Sequence, residues 1–276
     1  MSNHPNVDEI REALRIGIVT FLTAGGYSNV KDTGGLDDIL FQFFNVQKRS
    51  LRPTPRSVER AKGYDWGAHA SAVNVIEREF EAGEDMTPRL SRKLAVKKSA
   101  AASDDLLNDW RLQHLHLATR ALDGSVPGGP VVLVAWVDDT RALFLGVIGH
   151  NDWGRQDLFD QLSQNWPDVV EPFRLSGALD SPNLSNDDRM RLRDSGVNAL
   201  TAGPGGAAFA PIGGGITMSG HSVEATRRMH EVMRVLRKHS GDLATLASHL
   251  TALGLEVVIT SSPLTFTVQG VWSGRP

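Results

Sequence analysis

The chain has 276 residues, of which 41% are apolar and 22% charged. That composition supports a packed core and excludes wholesale disorder, while the absence of cysteine excludes disulfide frameworks, thiolate zinc fingers, Fe–S clusters and a cysteine nucleophile. Twenty-nine basic against 32 acidic residues leave a net charge of −3, so the overall charge predicts no polyanionic partner. No apolar run reaches the ~18–20 residues of a membrane span, and the acidic N-terminal stretch does not read as a secretory signal. The expectation is a cytoplasmic chain with no membrane partner.

The N-terminal third reads as helical. Val7 to Leu22 places Ile10, Leu14, Ile18, Phe21 and Leu22 at helical spacing behind the acids Asp8 and Glu9, and Gly25-Gly26 stops the run. Leu36 to about Asn45 repeats the pattern, with Ile39, Leu40, Phe41, Phe43 and Phe44 predicted as core. Further helical segments fit Arg56–Lys62, Ala70–Ala82 and Pro88–Lys97, the last with Thr87 as N-cap.

After Ser99 the pattern changes. Ser103-Asp104-Asp105 opens a short helical turn through Leu106, Leu107 and Trp110, and Leu112–Leu117 alternates with the period of a strand. A loop at Gly124–Pro130 precedes two apolar runs, Val131–Val137 and Ala142–Ile148, which form a hairpin across Asp138–Arg141. A helix over about Arg155 to Asn165 stops at Pro167. One short helix fits the acidic stretch Asp180–Asp194, and a glycine-rich connection spans Gly203–Gly215. Helices over Val223–His239, capped by Ser222, and from Asp242 to Leu253 precede two final strands, Leu255–Thr260 and Leu264–Val271. The fold class is α+β: a helical, basic region at 1–100, then an α+β region at 101–276 with a mostly antiparallel sheet and C-terminal helices plus two strands.

Histidine spacing carries the strongest chemical signal. His114 and His116 lie two apart on a strand and share a face, with Leu115 and Leu117 on the other. His150 stands where the second hairpin strand ends, in Gly149-His150-Asn151-Asp152-Trp153. If these strands pair, the three imidazoles can meet. They then suit general acid–base chemistry such as RNA cleavage through the 2′-hydroxyl, a three-histidine zinc site, or a structural role on a wetted sheet face.

Val131–Trp153, an apolar strand, acidic turn, apolar strand and Gly-His-Asn-Asp-Trp, resembles the end of the RelE/HigB-type mRNA interferase toxin fold over roughly residues 100–167. There a strand pair leads to a Gly-Thr-His-x-x-Tyr-like segment. His150 and Trp153 match its histidine and aromatic, and Gly149 stands in place of its threonine. The resemblance implies ribonuclease activity on RNA and an antitoxin or other protein partner; it implies nothing for residues 1–100 or 176–276.

Two other features point to anions. Lys48, Arg49, Arg52, Arg56, Arg60 and Lys62, then Arg89, Arg92, Lys93, Lys97 and Lys98, concentrate eleven of the 29 basic residues in two short segments. Arg49, Arg52, Arg56, Arg89, Arg92 and Lys93 are thus candidate nucleic-acid contacts; the competing reading pairs them with the acids at 77–85. Gly213, Gly214 and Gly215, with His221 ahead of a helix, form a candidate anion-binding loop, though without the spacing of a phosphate-binding motif.

The leading expectation is a metal-independent, RNA-directed nuclease acting as a toxin or phage-defence effector. His116 and His150 would exchange protons, and His114 or Arg111 would stabilise the phosphorane, although strict alternation puts Arg111 on the opposite face. No cofactor is needed in that case. The alternatives are a metallo-hydrolase with zinc on His114, His116 and His150 and Asp152 as base, a non-catalytic nucleic-acid-binding or regulatory protein, and a partner-binding protein using the methionines of the helix at 223–239.

Overall fold

The structure, a computed structural model, describes residues 5–30, 32, 34–90, 99–150, 152–176, 184–239 and 242–269. In chain order the elements are α1 (Val7–Ala24), α2 (Leu36–Arg49), β1 (Ser57–Arg60), α3 (Ala70–Ala82), α4 (Asp105–Trp110), β2 (Leu112–His116), β3 (Val131–Val137) and β4 (Arg141–Gly149). Then follow α5 (Gln156–Asn165), α6 (Pro167–Val170), α7 (Asn186–Asp194), the short strands β5 (Thr201–Ala202) and β6 (Ala208–Phe209), α8 (Val223–Lys238), α9 (Leu243–Ala252), β7 (Glu256–Ser261) and β8 (Leu264–Gln269). The class is α+β, as the periodicities predict.

The chain forms two units that are each discontinuous in sequence. One comprises Met1–Ser50, Val96–Ala102 and Glu224–Pro276; the other comprises Leu51–Ala95 and Ser103–Val223.

In the first unit, α1 begins with a capping box: the Asn6 side chain accepts from the Asp8 and Glu9 amides, and Glu9 accepts from the Asn6 amide. Its apolar stripe Ile10, Leu14, Ile18 and Leu22 is buried. At Gly17 the helix comes so close to the Phe266 backbone of β8 that a Cβ would collide with the carbonyl oxygen. That contact ties the N-terminal helix to the antiparallel β7–β8 hairpin from the far end of the sequence. Helix α2 is buried along most of its length, and the Phe43 ring lies 5.7 Å from Phe21 and 5.3 Å from Phe44.

The second unit is built on a four-stranded sheet of order β1-β4-β3-β2. The β3–β4 hairpin and the β2–β3 pair are antiparallel, and β1 adds in parallel along β4. Residues Arg56–Lys62, expected as helix, therefore contribute an edge strand. The Ser57 amide donates to Thr140 O at 2.9 Å and the Ala61 amide to Phe144 O at 2.9 Å, and this tertiary pairing overrides a weak local helix signal. At Thr87–Arg89 there is a single 3₁₀ turn, with Leu90 already extended; the rest of the helix expected to Lys97 falls on residues 91–98, outside the described residues. Pro167 ends α5 as expected and also opens α6.

One face of the sheet carries Val132, Val134, Leu143, Leu145 and Ile148 against Leu158, Phe159 and Leu162 of α5 and Trp166, Val169 and Val170. On the other face Phe80 of α3 meets Phe144 at 5.9 Å. In register, His114 lies opposite Val134 and His116 opposite Val132. Cross-strand partners share a face, so both histidines point to the α5 side of the sheet.

Candidate functional site

Strand β2 sets the first two ligand candidates. Alternation brings the His114 and His116 Cβ atoms to one face about 7 Å apart, and their rings meet edge to face at 6.1 Å. The third arrives from β4. Gly149 pairs with Val131, and the His150 amide donates to Pro130 O at 2.7 Å, so the chain leaves the sheet beside the end of β2. His150 stacks on His116 at 5.6 Å with 15° between the planes and lies 6.1 Å from His114. One ring nitrogen from each of His114, His116 and His150 can be chosen so that all three lie within 4.8 Å of one another. The sequence left the meeting of the three imidazoles conditional on strand pairing, and in the structure they do meet.

The surroundings do not match the wetted sheet face of the structural alternative at His114 and His116. All of β2 is buried; His116 is 1% exposed and His114 9%, while His150 is exposed. Trp153 covers the group, 4.8 Å from the His114 ring and 5.2 Å from His150. Behind the strand, Arg89 is almost wholly buried. It forms a two-pronged ion pair with Glu79 and donates to the carbonyls of His116 at 2.9 Å and Ala118 at 3.1 Å. The backbone that carries His116 is thus held by a charged fork.

The Trp153 loop has its own anchor. Arg193 on α7 donates from Nη1 to the Trp153 carbonyl, and from Nε and Nη2 to Asp109 Oδ2 at 3.0 and 2.6 Å. Arg189, one turn earlier, reaches Gln156 Oε1 at 2.9 Å, and both guanidinium groups sit 4.8 Å from the Trp110 ring. Burial holds the Arg189 pKa below its usual value, opposed by the nearby Asp109 carboxylate. These residues lay outside the sequence-based candidates. The available signal was two arginines four apart in a helix with almost no apolar face.

Several other candidates have different roles. Arg111 caps α4 in left-handed conformation, is exposed, and lays its guanidinium 5.8 Å from the Trp136 ring. Trp136 faces Leu112, at the far end of β2 from His116, so Arg111 does not join the histidines. Among the described residues of the basic segments, Arg49, Arg56 and Arg89 are buried rather than presented to solvent. Arg49 is 4% exposed and donates to Asn45 O, Ser99 O and Ala100 O; Arg56, also 4% exposed, donates to Arg52 O, Thr54 O and Asp138 O. Arg60 pairs with Glu77 and Arg89 with Glu79, in line with the competing reading that assigned them the acids at 77–85. Arg52 is exposed; Arg92 and Lys93 lie outside the described residues.

The glycine loop is likewise committed to structure. The Gly213 amide donates to Asp109 O at 3.0 Å, Gly214 to Pro211 O at 2.9 Å and Gly215 to Asn108 O at 2.8 Å. A Cβ at Gly213 would collide with the carbonyls of Leu107 and Asn108. Its glycines permit close docking on the end of α4, where the Gly213 and Gly215 amides are bonded, while the Gly214 amide is bonded within the loop. His221 is exposed, its amide on Thr217 Oγ1 at 3.1 Å.

Comparison with known proteins found no matching family model, no matching curated protein and no matching solved structure.

Proposed function

We propose that the second unit is a metal-dependent hydrolytic domain whose centre is a zinc ion held by His114, His116 and His150. The observation that supports this reading is the meeting of three imidazole nitrogens within 4.8 Å. Tetrahedral zinc at 2.0–2.1 Å from each nitrogen needs them about 3.4 Å apart, a closure of roughly 0.8 Å per ring from the widest separation. Proton transfer alone requires two imidazoles; a facial set of three matches a metal with an open fourth position. His150 is exposed and His116 enclosed, so the group is reachable from solvent on the His150 side; zinc held by the three imidazoles would supply hydrolytic chemistry there by lowering the pKa of a water to about 7. Asp152, expected as base, is exposed and turns its carboxylate back over Gly149.

A second reading, metal-free cleavage of RNA, draws on the stacked His116–His150 pair, one ring enclosed and the other reachable by substrate. It is the chemistry that the toxin resemblance implies. The buried roles of Arg49, Arg56 and Arg89 remove much of the substrate-holding surface on which it leaned.

The experiment is zinc loading followed by dialysis and metal analysis, beside RNA hydrolysis with and without chelator. One zinc per chain, lost in His150→Ala, is expected. Failure to retain any first-row divalent metal, together with chelator-resistant RNA cleavage, would replace the metal reading with the second.

A further inference from the structure

Helix α7 is docked by charge rather than by apolar area. Its buried residues are Arg189 and Arg193, which bracket the Trp110 ring, with Asp109 as the carboxylate between them. Two separate contacts connect this helix to the loop that carries His150. Arg193 donates to the Trp153 carbonyl, and Gly154 lies so close to Asn186 that a Cβ would meet the Asn186 backbone. Trp153 in turn packs on the rings of His114 and His150. A continuous path of contacts therefore runs from Asp109 through Arg193 and Trp153 to two of the three histidines.

We infer that Asp109 and Arg193 are positioning residues for the histidine centre: they fix the Trp153 loop, and through it the place of His150 relative to His114 and His116. The inference rests on the metal reading above. Its chemical logic is that of an outer shell, where partners that never touch the ion set the ligand geometry and their loss weakens affinity by about 10–100-fold. The fork of Arg193 is essential to it. One guanidinium satisfies Asp109 with two N–H groups and the Trp153 carbonyl with a third; a lysine ammonium keeps the charge opposite Asp109 but cannot span both.

The test is a cobalt(II) titration of the full chain, reading affinity and the visible absorption bands that report coordination geometry, with circular dichroism to verify folding. Arg193→Lys is expected to bind cobalt about 10–100-fold more weakly, with altered bands, while remaining folded. Gly154→Ala approaches the same loop without touching a charge, by pressing it away from Asn186, and should shift affinity and bands in the same direction; it also covers the case in which Arg193→Lys does not fold. Folded variants with wild-type affinity and bands would overturn the positioning role and leave the metal centre standing. A wild-type chain that takes up no cobalt would overturn the metal centre and this inference together.

Discussion

Arg89 shows how a residue chosen for its charge can serve the interior. It is 1% exposed and its partner Glu79 is 7% exposed, so neither is available to a polyanion. Removing the guanidinium leaves a carboxylate buried without its main partner, and the cost of breaking such a pair is about 3–5 kcal/mol. Arg89→Ala should therefore lower the urea midpoint strongly, whereas Arg89→Lys, retaining the charge but not the fork to His116 O and Ala118 O, should cost less. His150→Ala should do the reverse: exposed and beyond the last pair of β4, it should change stability by no more than about 0.5 kcal/mol while removing metal binding. The contrast marks what was legible at this scale. The spacing of His114 and His116 specified a shared face, and the end of the hairpin specified where His150 would emerge. A count of basic residues does not fix which way each arginine turns: Arg89 turns to Glu79, one of the acids the competing reading named, whereas Arg49 and Arg56 turn to backbone carbonyls, which leave no mark in the charge pattern.

At the level of elements, those with strong local signals appear where the pattern put them. Ala70–Ala82 is helix, Val131–Val137 is strand, and Asp104 and Asp242 cap their helices by accepting from the Leu107 and Thr245 amides. Asp104→Ala should cost about 1 kcal/mol by loss of the α4 cap, measured by chemical denaturation. The Asp242 carboxyl is held below its usual value by the Thr245 backbone amide and then the Thr245 hydroxyl. A depressed folded-state pKa means that its contribution is complete above the unfolded value near 3.9 and disappears as pH falls through the lower folded value. Acid should thus fray α9 through this cap, and Asp242→Asn should flatten that part of the pH profile; amide exchange along α9 would show whether it does. Elements that depend on distant partners were illegible for the same physical reason. β1 exists because β4 offers an open edge, and α7 docks because Trp110 and Asp109 await its arginines.

On the scale of the whole molecule, sequence order does not follow the units. The first and last elements of the chain share one unit, and α1 meets β8 through Gly17, whose missing side chain admits the Phe266 carbonyl. No short-range pattern announces that contact, since a glycine inside a helix reads only as a weakness. Gly17→Ala raises helix propensity yet forces a methyl into backbone, and overpacking of this kind costs about 1–3 kcal/mol. The histidine centre and its supports, Arg89, Asp109, Trp153 and Arg193, all belong to the other unit. So do five of the six tryptophans: Trp66, Trp110, Trp136, Trp153 and Trp166. Gly17→Ala should therefore shift the far-ultraviolet transition, to which α1, α2, α8 and α9 contribute, more than the tryptophan fluorescence transition. Zinc stoichiometry at a temperature below both should equal that of wild type. Loss of zinc from the variant while its fluorescence remains native would show that the proposed centre depends on α1 and the β7–β8 hairpin, and would move its boundary outside the unit that holds His114, His116 and His150.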